Sequence, residues 1–403
     1  MKILVLNCGS STLKFQLLET DATLASHSHP RKLAGGLVDP IGGNANCRFE
    51  APHHNPIEIV APIYDHDAAV RAVIDWLNST PELRHFDAVG HRVVHGGDRF
   101  VSAVRIDDDV IAALESLSDL APLHNPPALG GIRAARTILG SSMPMVAAFD
   151  TSFHHRIPEH AALYAIPHEL AEKHKIRRYG FHGLAHQYDI ARYGEIIGKR
   201  TEEINAVTLH LGNGCSVSAV RHGQSVDTSM GFTPLEGLIM GTRSGDLDPA
   251  LVSYLARKES VDAAEIEQWL NKRSGLLGLS GITNDMRELT AGYEKNSRAR
   301  LAVDAFCYRA RKYLGAYLAI LGGADSVIFS GGIGENSPFV RESICRGMAW
   351  CGLRLDGTAN EAVIGRDGLI SLPDASVKVA VIHTDEEMII ARETVQLTGR
   401  LIQ

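Results

Sequence analysis

The chain has little with which to anchor or cross-link itself. Its six cysteines (Cys8, Cys47, Cys215, Cys307, Cys345, Cys351) are scattered and form no Cys-x-x-Cys pair, which argues against a zinc site. A chain of 403 residues so poor in cysteine is not a disulfide scaffold either, which favours a reducing, cytoplasmic compartment. No run of about 18 apolar residues is present to span a membrane. The apolar start Met1–Leu6 meets a Gly/Ser turn too soon to be a signal peptide. Excess positive charge is missing too: 40 Lys and Arg against 47 Asp and Glu leave a formal charge of −7. Nucleic acid and anionic membranes are therefore not expected partners, and an anionic substrate needs a local basic site inside an acidic shell. Neither Gly-x-x-x-x-Gly-Lys-Ser/Thr nor a dinucleotide fingerprint with its downstream acid occurs.

What is present is an ordinary globular composition, 45% hydrophobic and 22% charged. The length exceeds the roughly 250–300 residues at which one core stops growing, so two domains are expected. Lys2–Leu6 and Leu13–Leu18 read as strands around the polar turn Asn7–Thr12. The arrangement recurs two hundred residues on, with strands Ala206–Leu211 and Val217–Val220 around Gly212–Ser216. A duplicated fold explains this; two unrelated hairpins explain it equally well. Elsewhere strands (Ala88–Val94, Met145–Phe149, Ser326–Ser330) alternate with helices. One helix carries Val70, Val73, Ile74 and Leu77 behind an Asp67 cap. One opens at Asn125-Pro126 with Asn125 capping, one runs Ser297–Leu321 to Gly322-Gly323, and one closes the chain from Glu386 to Leu397. The pattern is α/β.

Three glycine-rich turns follow strands, where backbone N–H groups can approach phosphate oxygens: Asn7–Thr12, His210–Gly214 and Gly331–Asn336. Ser337-Pro338 behind the third is a cap and first-turn pair. Any one alone suits an ordinary tight turn; three together point to nucleotide binding. Arg92, Arg243 and His182 sit beside glycines at strand ends or in loops, suited to a carboxylate or a phosphoryl group. Asp150, Asp285 and Glu386 are the acids, and phosphate-bound Mg²⁺ needs only one or two. Each of these is, alone, equally a surface charge or a helix cap.

Longer strings go further. Asn7-x-Gly-Ser-Ser-Thr-x-Lys14, His91–Gly97, Ala121–Pro126, Phe149–Thr151, Tyr179–Gly183, His210–Gly214, Asp227–Pro249, Ser280–Arg287 and Gly331–Ser337 resemble the acetate kinase family, collinearly from Met1 to about Thr394. The run Asp227–Asp246 carries most of the specificity. The resemblance implies two domains of duplicated actin-like, ribonuclease H-like fold with an interdomain active-site cleft: residues 1–151 with 388–403, and residues 152–387 for nucleotide binding and dimerisation. It implies in-line transfer of the ATP γ-phosphoryl group to acetate by a cytoplasmic homodimer. By resemblance Asn7 and Glu386 hold Mg²⁺, with Mn²⁺ the alternative, and Lys14 reaches the ATP phosphates. His210, Leu211, Gly212, Asn213 and Gly214 lie near the phosphates. Asp285, Met286, Arg287, Gly332, Ile333, Gly334, Glu335 and Asn336 line the nucleotide pocket. Arg92 and Arg243 grip the carboxylate and the moving group, His182 adds a donor, and Asp150 is the essential acid. Val94, Leu123, Phe181 and Pro234 match the methyl-binding pocket.

Three stretches depart from the family pattern. Leu184-Ala185 replace Thr-Ser, Asp98 replaces Glu, and His383-Thr384-Asp385 replace Pro-Thr-Asn; the last adds a carboxylate beside the expected metal residue. The nearest rival is a propionate or butyrate kinase, against which Val94 argues because a smaller residue there would admit a longer acid. A non-enzymatic ATP-gated clamp of the same superfamily needs the hairpins but not Arg92, His182 and Arg243.

Overall fold

The computed structural model describes residues 1–20, 30–122 and 124–399, and Leu123 lies outside them. The chain divides into two compact units, Met1–Phe153 with Asp385–Gln403, and His154–Thr384.

In the first unit eight strands form one sheet: β1 (Lys2–Cys8), β2 (Leu13–Glu19), β3 (Arg31–Asp39), β4 (Gly43–Glu50), β5 (Ile57–Ile63), β6 (Ala88–Val93), β7 (Val104–Arg105) and β8 (Met145–Phe149). Their order is β5-β4-β3-β2-β1-β6-β8-β7. In the second, six strands follow: β9 (Ala206–Leu211), β10 (Cys215–Arg221), β11 (Gln224–Thr228), β12 (Ser326–Ser330), β13 (Gly368–Leu369) and β14 (Lys378–Val381), in the order β11-β10-β9-β12-β14-β13. Five strands of each sheet share one plan. β3, β2 and β1 run antiparallel, then β6 and β8 run parallel to β1; β11, β10 and β9 run antiparallel, then β12 and β14 run parallel to β9. The repeated hairpins are thus a duplication and not two unrelated turns.

The parallel strands are apolar because helices cover them: Ile3 to Leu6, Val146 to Phe149 and Val327 to Phe329 are fully buried. Beneath β2, Phe15 meets Phe49 and Trp76 edge-on. Trp76 lies on the helix His66–Ser79, which buries Val70, Val73, Ile74 and Leu77, each worth about 1.5–3 kcal/mol. Its cap is Asp65, not Asp67: the Asp65 side chain accepts from Ala68 N, while Asp67 pairs with Arg71 one turn on. The cap expected at Asn125 is also corrected. Asn125 is the first residue inside its helix, and its buried amide instead bonds both ways with the His95 backbone. Gly331–Asn336 is a short helix rather than an open turn. The last helix, Glu386–Thr398, packs on β1, β6 and β8, so the chain returns to the first unit at Asp385. No helix among the described residues is long and apolar enough to cross a membrane.

Candidate functional site

In the first unit the polar residues gather at the carboxyl ends of parallel neighbours, where open α/β sheets place their ligands. Asn7 and Arg92 lie one residue before the ends of β1 and β6, and Asp150 follows β8. The last helix brings Glu386 and Glu387 at its N-terminus, where the helix dipole favours negative charge. Arg92 holds Asp150 bidentately, Nε to Oδ1 at 3.0 Å and Nη2 to Oδ2 at 2.7 Å, and its Nη1 donates to Glu386 at 3.0 Å and to Asn7 Oδ1 at 3.4 Å. Asn7 Nδ2 donates to Glu386 at 2.8 Å. Lys14 Nζ donates to Glu387 at 2.9 Å, and Gln16 to Asp385 at 3.2 Å.

Burial works against the charge on Arg92, but Asp150 and Glu386 outweigh it and raise its pKa. Burial pushes Glu386 up to about 7; Arg92 opposes the shift, and Glu387 and Asp150 add to it. Burial, then Glu387, pushes Asp385 up to about 6. Four carboxylates (Asp150, Asp385, Glu386, Glu387) thus meet two cations (Arg92, Lys14). This surplus of hard oxygen donors fits a divalent ion such as Mg²⁺. Among the described residues no group of three or more His, Cys, Asp and Glu side chains could hold a metal. Glu387 and Gln16 belong to this cluster and are not singled out by the sequence patterns. The signals that could have found them are alternation on β2 and adjacency to Glu386. Val94, just past β6, is half-buried.

In the second unit the same strand positions carry different chemistry. Ser216 on β10, His210 on β9 and Ser330 on β12 form one row across the sheet. The helix Gly183–Ile197, which packs on β9 and β12, sets His182, His186 and Asp189 along it. His210 Nδ1 bonds Ser330 Oγ at 3.1 Å, which donates to Asp189 at 2.5 Å; Thr384 donates to the other Asp189 oxygen at 2.7 Å. Burial pushes Asp189 up to about 7, against those two hydroxyl bonds. His182 caps the helix at φ +57°, a left-handed conformation rare outside glycine. A side chain at Gly214 would crowd the His182 ring at 3.2 Å and approach Arg243 Nη1 at 3.7 Å, so that glycine keeps the space before both open. Arg243 donates to Pro234 O at 3.2 Å and has no carboxylate partner among the described residues. Burial lowers its pKa. The buried Phe181 precedes His182.

A cleft of about 1000 Å³ opens beside this row. Gly212, Asn213, Asp285, Met286, Arg287, Gly332, Ile333 and Asn336 line it, as do Asn284 and Phe339, which sequence reasoning missed. Gly334 and Glu335 do not line it. Glu335 is buried and takes bonds from His383 at 2.6 Å and from Thr384 N at 3.2 Å. Asp285 caps the helix Met286–Ala291 and chelates Arg287, so its own carboxylate is engaged. Of the departures, Leu184 and Ala185 are fully buried and Asp98 is exposed.

Residues 2–392 match the acetokinase family. The acetate kinase of Solibacter usitatus is 50% identical, covering 98% of each chain. The crystal structure of Porphyromonas gingivalis acetate kinase superposes with a TM-score of 0.90 at 40% identity, covering 98% of this chain and 99% of that one. A propionate kinase from Francisella tularensis subsp. tularensis gives 0.90 at 39%, with the same coverage.

Proposed function

The chain belongs to the acetokinase family, and on that premise we propose that it transfers the γ-phosphoryl group of ATP to acetate, giving acetyl phosphate and ADP. The observations that support this most are, in the first unit, an Arg92 locked by carboxylates and, in the second unit, an Arg243 that has no carboxylate partner among the described residues. Phosphoryl transfer spreads charge over three equatorial oxygens, so cations and positioning do most of the catalysis. Arg243 is the cation left over for that charge. Arg92, held by Asp150 and Glu386, keeps one orientation through the transfer. The cleft lined by Gly212, Asp285 and Gly332 takes the nucleotide. Asn7 and Glu386 would hold Mg²⁺, which when bound neutralises charge on the phosphates.

The acceptor carboxylate, with a pKa of about 4–5 like a Glu side chain, is already ionised near neutral pH and needs no general base. An acetate oxygen forms the new bond to phosphorus as the bond to the departing ADP oxygen breaks. Asp150 accordingly serves as a positioning residue for Arg92, not as a base. Lys14 approaches the phosphates by exchanging Glu387 for them. We further propose a homodimer formed through the second unit, in the cytoplasm; equilibrium sedimentation tests the dimer.

The discriminating experiment is kcat/KM with ATP, Mg²⁺ and acetate, propionate, butyrate or no acid. Acetate is expected to exceed propionate by about 10- to 200-fold, the worth of one methylene in an apolar pocket. Preference for propionate overturns the choice of acid, and strong acid-independent hydrolysis overturns the kinase.

A further inference from the structure

The second unit carries buried hydroxyls and imidazoles that no step above uses. Thr208 on β9 and Ser216 on β10 are fully buried, as is His186 on the facing helix. Thr208 Oγ1 lies 2.7 Å from His186 Nδ1, His186 Nε2 lies 2.8 Å from Ser216 Oγ, and the same Ser216 Oγ lies 2.9 Å from His182 Nδ1. Heavy-atom distances leave two directions open for the protons. The inventory of donors removes one.

Among the described residues the Thr208 hydroxyl has one side-chain partner, His186 Nδ1. If Nδ1 carried the proton, Thr208 would accept that bond and its own buried hydroxyl proton would be stranded, costing about 1–3 kcal/mol. Thr208 therefore donates to Nδ1. His186 is neutral, because burial drives its pKa well below the usual histidine value and the nearby His154 and His210 lower it further. A neutral imidazole carries one proton, so Nε2 holds it and donates to Ser216. The single Ser216 proton then goes to His182 Nδ1.

We propose that Thr208, His186 and Ser216 form a one-way hydrogen-bond chain that fixes neutral His182 as the tautomer protonated on Nε2. The three are positioning residues; they touch no substrate. The backbone supports the same end. His154 Nε2 donates to the Phe181 carbonyl at 3.1 Å, and His182 sits one helical turn before His186, whose N–H bonds the His182 carbonyl at 3.0 Å. The left-handed His182 backbone and the ring tautomer are thus fixed from separate sides. A ring locked this way offers an N–H toward developing negative charge without reorganising.

That use rests on assigning His182 to the transferring phosphoryl group, and the test separates the two claims. In the full-length protein labelled with ¹⁵N-histidine, the His182 signals, assigned by their loss in His182→Gln, should show an unprotonated Nδ1 and a protonated Nε2 near neutral pH. A proton on Nδ1 overturns the chain, and this needs no variant of the chain itself. Ser216→Ala should mix the tautomers and lower kcat/KM about 10- to 100-fold, a loss typical of supporting contacts behind a reacting group. Thr208→Val should act in the same direction, and Thr208→Ser, which keeps the hydroxyl, should restore both signal and rate. A folded Ser216→Ala protein with an unaltered His182 tautomer also overturns the chain. Mixed tautomers with an unchanged rate leave the chain standing and remove His182 from the reaction.

Discussion

The end of β1 in one unit and the end of β9 in the other occupy the same place in the same strand plan, yet their chemistry is opposite. Around Asn7 the strand ends gather four carboxylates against Arg92 and Lys14; around His210 they gather histidines, hydroxyls and glycines beside an arginine that no acid among the described residues holds. The first arrangement suits a cation and the second an anion. The strands themselves cannot diverge so far, because their side chains fill buried cores in which one methylene matters. Duplication of one scaffold can in this way supply the two kinds of chemistry that phosphoryl transfer needs.

The comparison breaks most visibly at the two arginines. Arg243→Ala and Arg92→Ala should each lower kcat/KM by about 10³-fold or more, the usual worth of an arginine on a transferring phosphoryl group. Their stabilities should part company. Removing Arg92 leaves Asp150 buried and unpaired, costing about 3–5 kcal/mol, whereas removing Arg243 strands no charge. Steady-state kinetics with urea denaturation of both variants checks this, and equal stability losses would erase the distinction. Asp150→Asn keeps the shape but weakens the hold on Arg92. Activity should drop about 10- to 100-fold, as for other orienting partners, together with Mg²⁺ affinity. Activity restored by raising pH with Mg²⁺ binding intact would instead make Asp150 a base.

A smaller effect belongs to the second unit alone. Gly214→Ala presses on the His182 ring and should cost about tenfold in kcat with the fold retained, since slight misplacement of a reacting group is expensive; unchanged kcat would show the space before His182 to be unused. The subtlest lies in pH dependence. Burial raises Asp189 from 3.8 to about 7 in the folded protein, so its contribution to stability is full below about 4 and lost as pH rises through about 7. Asp189→Asn should flatten that part of the stability–pH curve, on the order of 2–4 kcal/mol, while leaving the acidic cluster of the first unit titrating as before. Melting temperature across pH 4–8 reads it.

Much of the fold is legible in residue order alone. The helix Ser297–Leu321 and the strands Met145–Phe149 and Ser326–Ser330 have the predicted bounds, because apolar runs between glycines and polar caps are local signals. Caps are less readable. Asp65 and Asp67 are both acidic and two residues apart, and only the backbone angle at Asp65 decides which one caps. Asn125 has the residue type that favours caps, but a buried amide was needed to bond the His95 backbone. Of the residues expected at the nucleotide, Gly332 and Ile333 face the cleft while Glu335, two positions on, turns inward to His383; in a short helix that separation reverses direction.

Sequence alone determined the family and the repeated hairpin and named the candidate side chains of the site, since these are carried by residue type and order. Which charges are neutralised was decided only in three dimensions. Arg92 and Arg243 are alike as letters beside glycines, and the electrostatic difference between them comes from Asp150 and Glu386, which lie 58 and 294 residues away from Arg92. The proton on His182 was decided the same way, by Thr208 and Ser216 on neighbouring strands. Interaction strength falls steeply with distance and depends on burial, and neither quantity is written in the spacing of residues along a chain.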